Sequence, residues 1–229
     1  MKGIYSFAIP SNRIKSFEIF IESRKDIYNV TLAALDFLFS GAKEEAHGNL
    51  KIIFGNTQRI FFFEKDRYYS FSFPFSLSKK IDIADCESSV GISFCEEYSL
   101  YAEDDELTSS ILVFVNHIMD YVAKMDVFSL DELYEKVDEI RINDDDLYNE
   151  EEFQKAWRIA CRILLMETSY VRYDHDEAHE KENHPLNHLD VNYSDSGTFK
   201  IGLPKAQKPK ADWFVEFCTS NPVKMISKL

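Results

Sequence analysis

The stretch YVRYDHDEAHEKENHPLNHLDVNY, residues 170–193, predicts two strands joined by a polar loop. Residues 170–174 and 186–193 have the pattern of strands, whereas the segment between them is too polar for anything but an exposed loop. Four of the chain's six histidines lie in this stretch. We therefore expect a C-terminal β-hairpin that brings metal-ligating and proton-transferring side chains together.

The alternation of strand residues places the polar groups on one face of this hairpin. Successive residues of a strand point to opposite faces, so Arg172 and Asp174 share one face of the first strand, and His188 and Asp190 share one face of the second. If the apolar faces of both strands pack inward, these four side chains lie side by side. The restricted backbone before a proline holds His184 at the end of the loop.

The residues leave three uses of this group open. In the first, His184 and His188 act as acid and base on a phosphodiester, while Arg172 neutralises the phosphate. In the second, these histidines and Asp174 or Asp190 bind a divalent transition metal that activates water. In the third, the group is structural, and Arg172 pairs with an aspartate across the strands.

The candidate site residues follow from these alternatives. The candidate catalytic residues are His184, His188, Arg172 and Asp174, and the candidate metal ligands are His184, His188 and Asp190. No cofactor is expected, although binding of a divalent metal stays open. The chain has no phosphate-binding glycine loop, which disfavours nucleotide-driven catalysis. His175 and His179 are interpreted as variable loop residues.

The remainder of the chain predicts helices and strands in separate runs. Apolar residues at helical spacing predict helices over residues 26–40, 107–124 and 150–167, and a Ser-x-x-Glu capping box formed by Ser129 and Glu132 predicts a helix over 130–141. Alternating aromatic and polar residues predict two or three strands within residues 50–75, and further strands over 14–21 and 90–98. We expect a single α+β unit, with an antiparallel sheet flanked by helices, a His-bearing hairpin and a closing helix. A subdomain boundary is expected near residues 143–149.

The net charge of −14 argues against a large nucleic-acid surface, because phosphate binding depends on clustered lysines and arginines. The charge is uneven, however. Residues 129–182 hold 17 acidic side chains against 7 basic ones, whereas residues 198–229 hold six lysines against two acidic residues. A short phosphate contact near the C-terminal end therefore stays open, as does recruitment of a basic partner by the acidic middle region, residues 131–152.

Several protein classes are disfavoured by what the sequence lacks. No apolar run approaches the ~20 residues that span a bilayer, and the first residues do not have the pattern of a signal peptide. We therefore expect a cytoplasmic protein without membrane contact. The four cysteines show no CxxC spacing, which favours reduced thiols over a disulfide or a cysteine–zinc site.

Residues 169–225 resemble the C-terminal part of the bacterial domain-of-unknown-function family 2290. That family has an Arg-Phe-Asp-Tyr-Asp strand, a His-Pro-x-x-His-Leu turn and strand, a basic Arg-Ile-Pro element and a closing helix. The matching residues are Arg172, Asp174, Asp176, His184, Pro185, His188 and Leu189. Lys200 stands where the family tends to carry arginine, and Asp190 replaces the more usual histidine or threonine, which weakens an inherited metal site.

A similar arginine–aspartate strand and histidine-rich turn occur in small toxin proteins of bacterial toxin–antitoxin systems. This resemblance implies an accessory protein of a bacterial or phage defence system that acts within a protein complex. The hairpin then contacts a protein partner or an RNA phosphate, with RNA cleavage as the implied activity. The alternative is a non-catalytic structural adaptor that recruits a basic partner through residues 131–152.

Overall fold

The structure, a computed structural model, describes residues 3–17, 21–40, 42, 45, 47–54, 58–79, 98–125, 128–143, 150–194, 197–205 and 208–219. The helices are α1 (Arg24–Phe39), α2 (Ser109–Lys124), α3 (Leu130–Asn143), α4 (Glu150–Leu165) and α5 (Ala211–Thr219). The strands are β1 (Gly3–Phe7), β2 (Leu50–Phe54), β3 (Arg59–Phe63), β4 (Arg67–Ser72), β5 (Ser76–Lys79), β6 (Tyr98–Ala102), β7 (Asp105–Leu107), β8 (Val171–His175), β9 (Asn187–Ser194) and β10 (Gly197–Gly202). These elements confirm the predicted α+β class.

The chain groups into two compact units. The first comprises residues 1–30, 42–73 and 167–229 and contains a seven-stranded antiparallel sheet of order β1-β2-β3-β4-β8-β9-β10. The second comprises residues 31–41 and 74–166 and contains the sheet β5-β6-β7 together with α2, α3 and α4. The boundary expected near 143–149 falls within the span of the second unit, and residues 144–149 lie outside the described part, so it stays a prediction.

The predicted helices form, and local capping explains where two of them begin. The hydroxyl of Thr108 accepts a hydrogen bond from the Ile111 amide at 3.3 Å at the start of α2. The Ser129 hydroxyl accepts one from the Glu132 amide at 3.3 Å, as the expected capping box requires. None of the described helices is long and apolar enough to cross a membrane.

The strand predicted over residues 14–21 is wrong for its first part. Residues Ile14–Ser16 form a single 3₁₀ turn, because the Arg13 amide donates to the Pro10 carbonyl at 2.8 Å and the Phe17 amide donates to the Ile14 carbonyl at 2.8 Å. Residues 18–20 lie outside the described part, and so do residues 80–97, which hold most of the strand predicted at 90–98.

The C-terminal hairpin forms as predicted, from β8 and β9 in antiparallel pairing. Helix α5 lies against one face of it. The apolar cluster on that face is formed by Phe61, Tyr68, Tyr173, Leu189, Leu203 and Phe214. Tyr173, Leu189 and Phe214 are fully buried there, so removal of apolar surface from water fixes this face of the hairpin. Arg172, Asp174, His188 and Asp190 consequently occupy the opposite face.

Candidate functional site

Charged side chains cross four neighbouring strands on the sheet face that points away from α5. Two rows of facing residues produce this arrangement: Arg67, Asp174, His188 and Gly202 in one, and Tyr69, Arg172, Asp190 and Lys200 in the other. We use the name hairpin cluster for the side chains of Arg67, Arg172, Asp174, His188, Asp190 and Lys200. The predicted proximity of Arg172 and Asp174 to His188 and Asp190 is confirmed by this register.

Arg172 joins the two aspartates of the hairpin cluster. Its Nε donates to Asp174 Oδ2 at 2.6 Å, and its Nη2 donates to Asp190 Oδ2 at 2.6 Å. Asp174 is 4% exposed and Asp190 is 7% exposed, so both carboxylates have lost most of their water. Charge-assisted hydrogen bonds of this length are the compensation that buried carboxylates need.

Two further cations contact the same aspartates from the ends of the cluster. Lys200 Nζ donates to Asp190 Oδ1 at 2.6 Å, and Arg67 Nε lies 3.2 Å from Asp174 Oδ1. Their side chains are 35% and 48% exposed, in contrast to the 12% of Arg172. The hairpin cluster therefore has a buried centre and two cationic ends that reach solvent.

His188 lies in the buried centre and is only 1% exposed. Its Nδ1 is 2.8 Å from the Pro185 carbonyl oxygen, which can only accept, so Nδ1 carries the proton of this bond. In the neutral ring Nε2 is then an acceptor, and it lies 3.2 Å from Lys200 Nζ and 3.5 Å from Asp174 Oδ2. Both ring nitrogens thus face protein atoms, and the geometry favours an orienting role for His188 over direct contact with a substrate.

Asp174 is held in its ionised form by its surroundings. Burial alone would raise the pKa of this carboxyl, but the charge and the hydrogen bond of Arg172 hold the pKa below its ordinary value. An ionised Asp174 is a competent ligand for a cation and a fixed countercharge for Arg67 and Arg172.

His184 lies next to the cluster, at the exit of the loop where the sequence placed it. Its backbone forms a small bridge with Lys181, with N–O distances of 2.9 and 3.0 Å in the two directions. The ring centroids of His184 and His188 are 4.6 Å apart, and His184 Nδ1 is buried without a hydrogen-bond partner. His179, in contrast, points to solvent with a 73% exposed side chain and pairs with Asp176.

A cleft of about 900 Å³ opens where β3 and β8 end and β4 begins, and we call it the β3–β4 cleft. Its walls include Ile14, Asn49, Phe62, Phe63, Glu64, Lys65, Asp66, Arg67, His175, Asp176, Glu177, Ala178 and Lys208. Arg67 belongs both to this wall and to the hairpin cluster. The cleft is thus the place where a ligand would meet a side chain that the cluster positions.

His175 is the residue that the sequence interpretation misplaced. It lies in β8 and not in the loop, and its ring lines the β3–β4 cleft. His175 Nδ1 is 2.7 Å from Asn187 Oδ1, which also accepts a hydrogen bond from the Tyr173 hydroxyl at 2.8 Å. Asn187 is buried, so the network fixes the orientation of the His175 ring. The sequence pattern predicted a strand that ends at Asp174, and a strand one residue longer would have included His175.

The candidate metal ligands are only partly brought together. Among the described residues, Asp174, His188 and Asp190 offer ligand atoms that all lie within 4.8 Å of one another. His184 does not belong to this group. The structure therefore places Asp174 with His188 and Asp190, where the sequence prediction had placed His184.

Comparison of the chain with protein-family models, with curated proteins and with solved structures finds no match. The resemblance to family 2290 therefore stays a prediction.

Proposed function

We propose that the chain binds RNA as one component of a larger complex, with phosphate contacts in the β3–β4 cleft. The observation that carries this proposal is the placement of Arg67. Its side chain is about half exposed on the cleft wall, while its Nε lies 3.2 Å from the buried Asp174 carboxylate. A guanidinium held in this way presents a charge in a fixed position to a phosphate. Contacts to the phosphate backbone of a nucleic acid need such a charge.

Neighbouring residues support a short phosphate contact. Lys65 and Lys208 line the same cleft as Arg67, and Lys208 Nζ is 2.6 Å from Asp66 Oδ1. This ammonium group holds the pKa of Asp66 below its ordinary value. Four acidic residues, Glu64, Asp66, Asp176 and Glu177, also line the cleft beside the three basic ones, so the cleft offers a contact to one or two phosphates at most and not a long nucleic-acid track.

The overall charge of the chain explains why a complex is part of the proposal. A net charge of −14 repels RNA at long range and makes binding by the isolated chain weak. A basic partner protein would supply the steering that this chain lacks. The wider role, as an accessory protein of a bacterial or phage defence system, is suggested by the resemblance of the hairpin to small toxin proteins of toxin–antitoxin systems.

The test compares RNA binding by two single variants in fluorescence anisotropy. Arg67→Gln removes the proposed phosphate ligand, whereas Lys136→Gln removes an exposed lysine that pairs with Glu139 in α3. We expect Arg67→Gln to weaken binding of a short single-stranded RNA about fivefold to tenfold. It should also reduce the slope of log K against log salt by about 0.7, the value for one lost phosphate contact. Equal affinities for the two variants and the wild type would contradict the proposal.

Cleavage is tested in the same samples, with and without EDTA. His175 is the histidine on the cleft wall, so we assign it the acid–base role if the bound RNA is cut. Loss of cleavage in His175→Gln with unchanged binding would support this assignment. Loss of cleavage in the His184→Ala/His188→Ala double variant, with His175→Gln still active, would return the role to the two hairpin histidines.

The exposed acidic face of α3 favours adaptor function as a second candidate. This helix buries Leu133 and Val137, whereas Asp131, Glu132 and Glu135 are exposed. A basic partner would dock there by charge complementarity. The Glu132→Lys/Glu135→Lys variant should abolish binding of a lysine-rich peptide that the wild type retains at low salt. Binding that survives this charge reversal would exclude α3 as the docking face.

A further inference from the structure

We infer that Asp174, His188 and Asp190 form a binding site for a divalent transition-metal ion, and that the Lys200 ammonium takes the place of this ion in the metal-free protein. The inference goes beyond RNA binding and does not rest on it. Its ligand set differs from the candidates that the sequence suggested, since Asp174 takes the position expected for His184.

The donor atoms are of the right type and are already gathered. One imidazole nitrogen and two carboxylate oxygens lie within 4.8 Å of one another. His188, Asp174 and Asp190 are 1%, 4% and 7% exposed, so their donor atoms lie in a volume with little competing water. Mixed nitrogen and oxygen ligands of this kind suit zinc, manganese or iron(II), and three protein ligands with one open position are typical of catalytic metal sites.

The surroundings of His188 fix the nitrogen that would bind the metal. Its Nδ1–H donates to the Pro185 carbonyl at 2.8 Å, which is the usual outer contact of a metal-binding histidine. The lone pair of Nε2 then points toward Asp174 Oδ2 at 3.5 Å and Asp190 Oδ1 at 3.9 Å. Three acceptors that face one another in a buried volume need a cation between them.

Lys200 supplies that cation in the metal-free protein. Its Nζ lies 2.6 Å from Asp190 Oδ1 and 3.2 Å from His188 Nε2, so a positive charge already contacts two of the three donor atoms. The lysine comes from the edge strand β10 and keeps a 35% exposed side chain, which allows its flexible stem to turn outward. Arg172 stays bound to both aspartates and holds them in place.

The separations of the donor atoms are close to those of an occupied site. Metal–ligand bonds of ~2.1 Å in tetrahedral geometry place neighbouring ligand atoms ~3.4 Å apart. The separations of 3.5 and 3.9 Å around His188 Nε2 approach this value. Rotation of the Asp190 side chain, once Lys200 has left it, would shorten the 3.9 Å separation.

The first test is isothermal titration calorimetry of the full chain with Zn²⁺ and with Mn²⁺. Lys200→Met removes the competing ammonium and keeps an apolar stem of similar length. We expect this variant to bind at least one of the two ions on the order of tenfold more tightly than the wild type does. The inference is overturned if Lys200→Met binds no more tightly than the wild type, or if neither protein binds at millimolar metal.

Two further variants locate the ion. Lys200→Met/Asp190→Asn removes one charge of each sign, so the cluster keeps its balance, and we expect about a hundredfold weaker binding than in Lys200→Met. Circular dichroism verifies that the double variant is folded. His179→Ala removes the exposed loop histidine and should leave the affinity unchanged. Binding that His179→Ala abolishes, or that the double variant retains in full, would place the ion elsewhere and overturn the inference.

Because no RNA is present in these titrations, their outcome is independent of the proposed RNA contact. Metal binding without RNA binding would leave the inference standing and remove the proposed function. RNA binding that depends on Arg67, in a protein that binds no metal, would overturn the inference and leave the proposed function standing.

Discussion

The two faces of the β8–β9 hairpin are buried to a similar extent but are built from opposite chemistry. Toward α5, Tyr173 and Leu189 are both 0% exposed among aromatic and aliphatic neighbours. On the other face, Asp174 and Asp190 are 4% and 7% exposed among cations. The first face is stabilised by the removal of apolar surface from water, whereas the second must compensate each desolvated charge with a partner.

This difference determines how each face responds to substitution. An apolar face loses stability in proportion to the volume removed and the cavity left behind. A buried charge cluster loses far more when a single partner is removed, because a charge is then left buried without compensation. The predictions below test this contrast, and they run from the largest expected effect to the smallest.

We expect Arg172→Met to give the largest loss of stability. It leaves Asp174 and Asp190 buried without the guanidinium that bridges them, which costs about 3–5 kcal/mol of unfolding free energy. Urea denaturation followed by circular dichroism measures the loss. In the Arg172→Met/Asp190→Leu variant the loss should be smaller than the sum of the two single effects, since one buried charge has gone. Strict additivity would show that the cluster is not coupled.

On the apolar face, Leu189→Ala should cost about 2–4 kcal/mol, because the removed side chain leaves a cavity beneath α5. Leu189→Met is the matched control and should cost less than about 1.5 kcal/mol, since it conserves volume. The same urea denaturation measures both. Equal losses for alanine and methionine would mean that packing volume does not set the stability of this face.

The Asp174 carboxyl should link stability to pH. Its folded-state pKa is held below the ordinary value, so its stabilising contribution is present above about pH 4 and is lost as pH falls through the depressed pKa. Asp174→Asn should therefore be less stable than the wild type at neutral pH and should lose less stability on acidification. Thermal unfolding between neutral and acidic pH measures this, and parallel curves for the two proteins would contradict it.

The smallest effect is expected from His179→Ala. The side chain is 73% exposed and pairs with Asp176 in the loop, so its removal should change the unfolding free energy by less than about 0.5 kcal/mol. Urea denaturation again measures the change. A loss comparable to that of Arg172→Met would show that the loop contributes to the buried face.

Local pattern predicted much of the fold and part of the site. Apolar spacing predicted α1, α2 and α4, and a capping box predicted α3. Alternation predicted both hairpin strands and the proximity of Arg172 and Asp174 to His188 and Asp190. The alternation over residues 14–21 predicted a strand where a 3₁₀ turn forms at Ile14–Ser16. The pattern covers few residues, and the hydrogen bonds donated by the Arg13 and Phe17 amides turn the chain there.

The contact of Lys200 with Asp190 could not be predicted from the pattern of the sequence. Its contact with Asp190 depends on the pairing of β10 with β9, and the register of this pair shifts between Gly197 and Thr198. A shift of one residue would turn Lys200 to the other face of the sheet. Gly202, two residues further along the same strand, lies so close to Pro185 that an added Cβ would stand 3.0 Å from the proline Cγ. Such constraints come from residues distant in sequence.

The sequence by itself determined the α+β class, the hairpin and the face on which its polar side chains lie, because periodicity is a local property of the chain. Only the tertiary structure decided that His188 is buried while His175 lines a cleft, and that Lys200 and Arg67 complete the charge cluster. The physical reason is that burial and ion pairing depend on which strands become neighbours. The packing of the whole sheet determines which strands are neighbours.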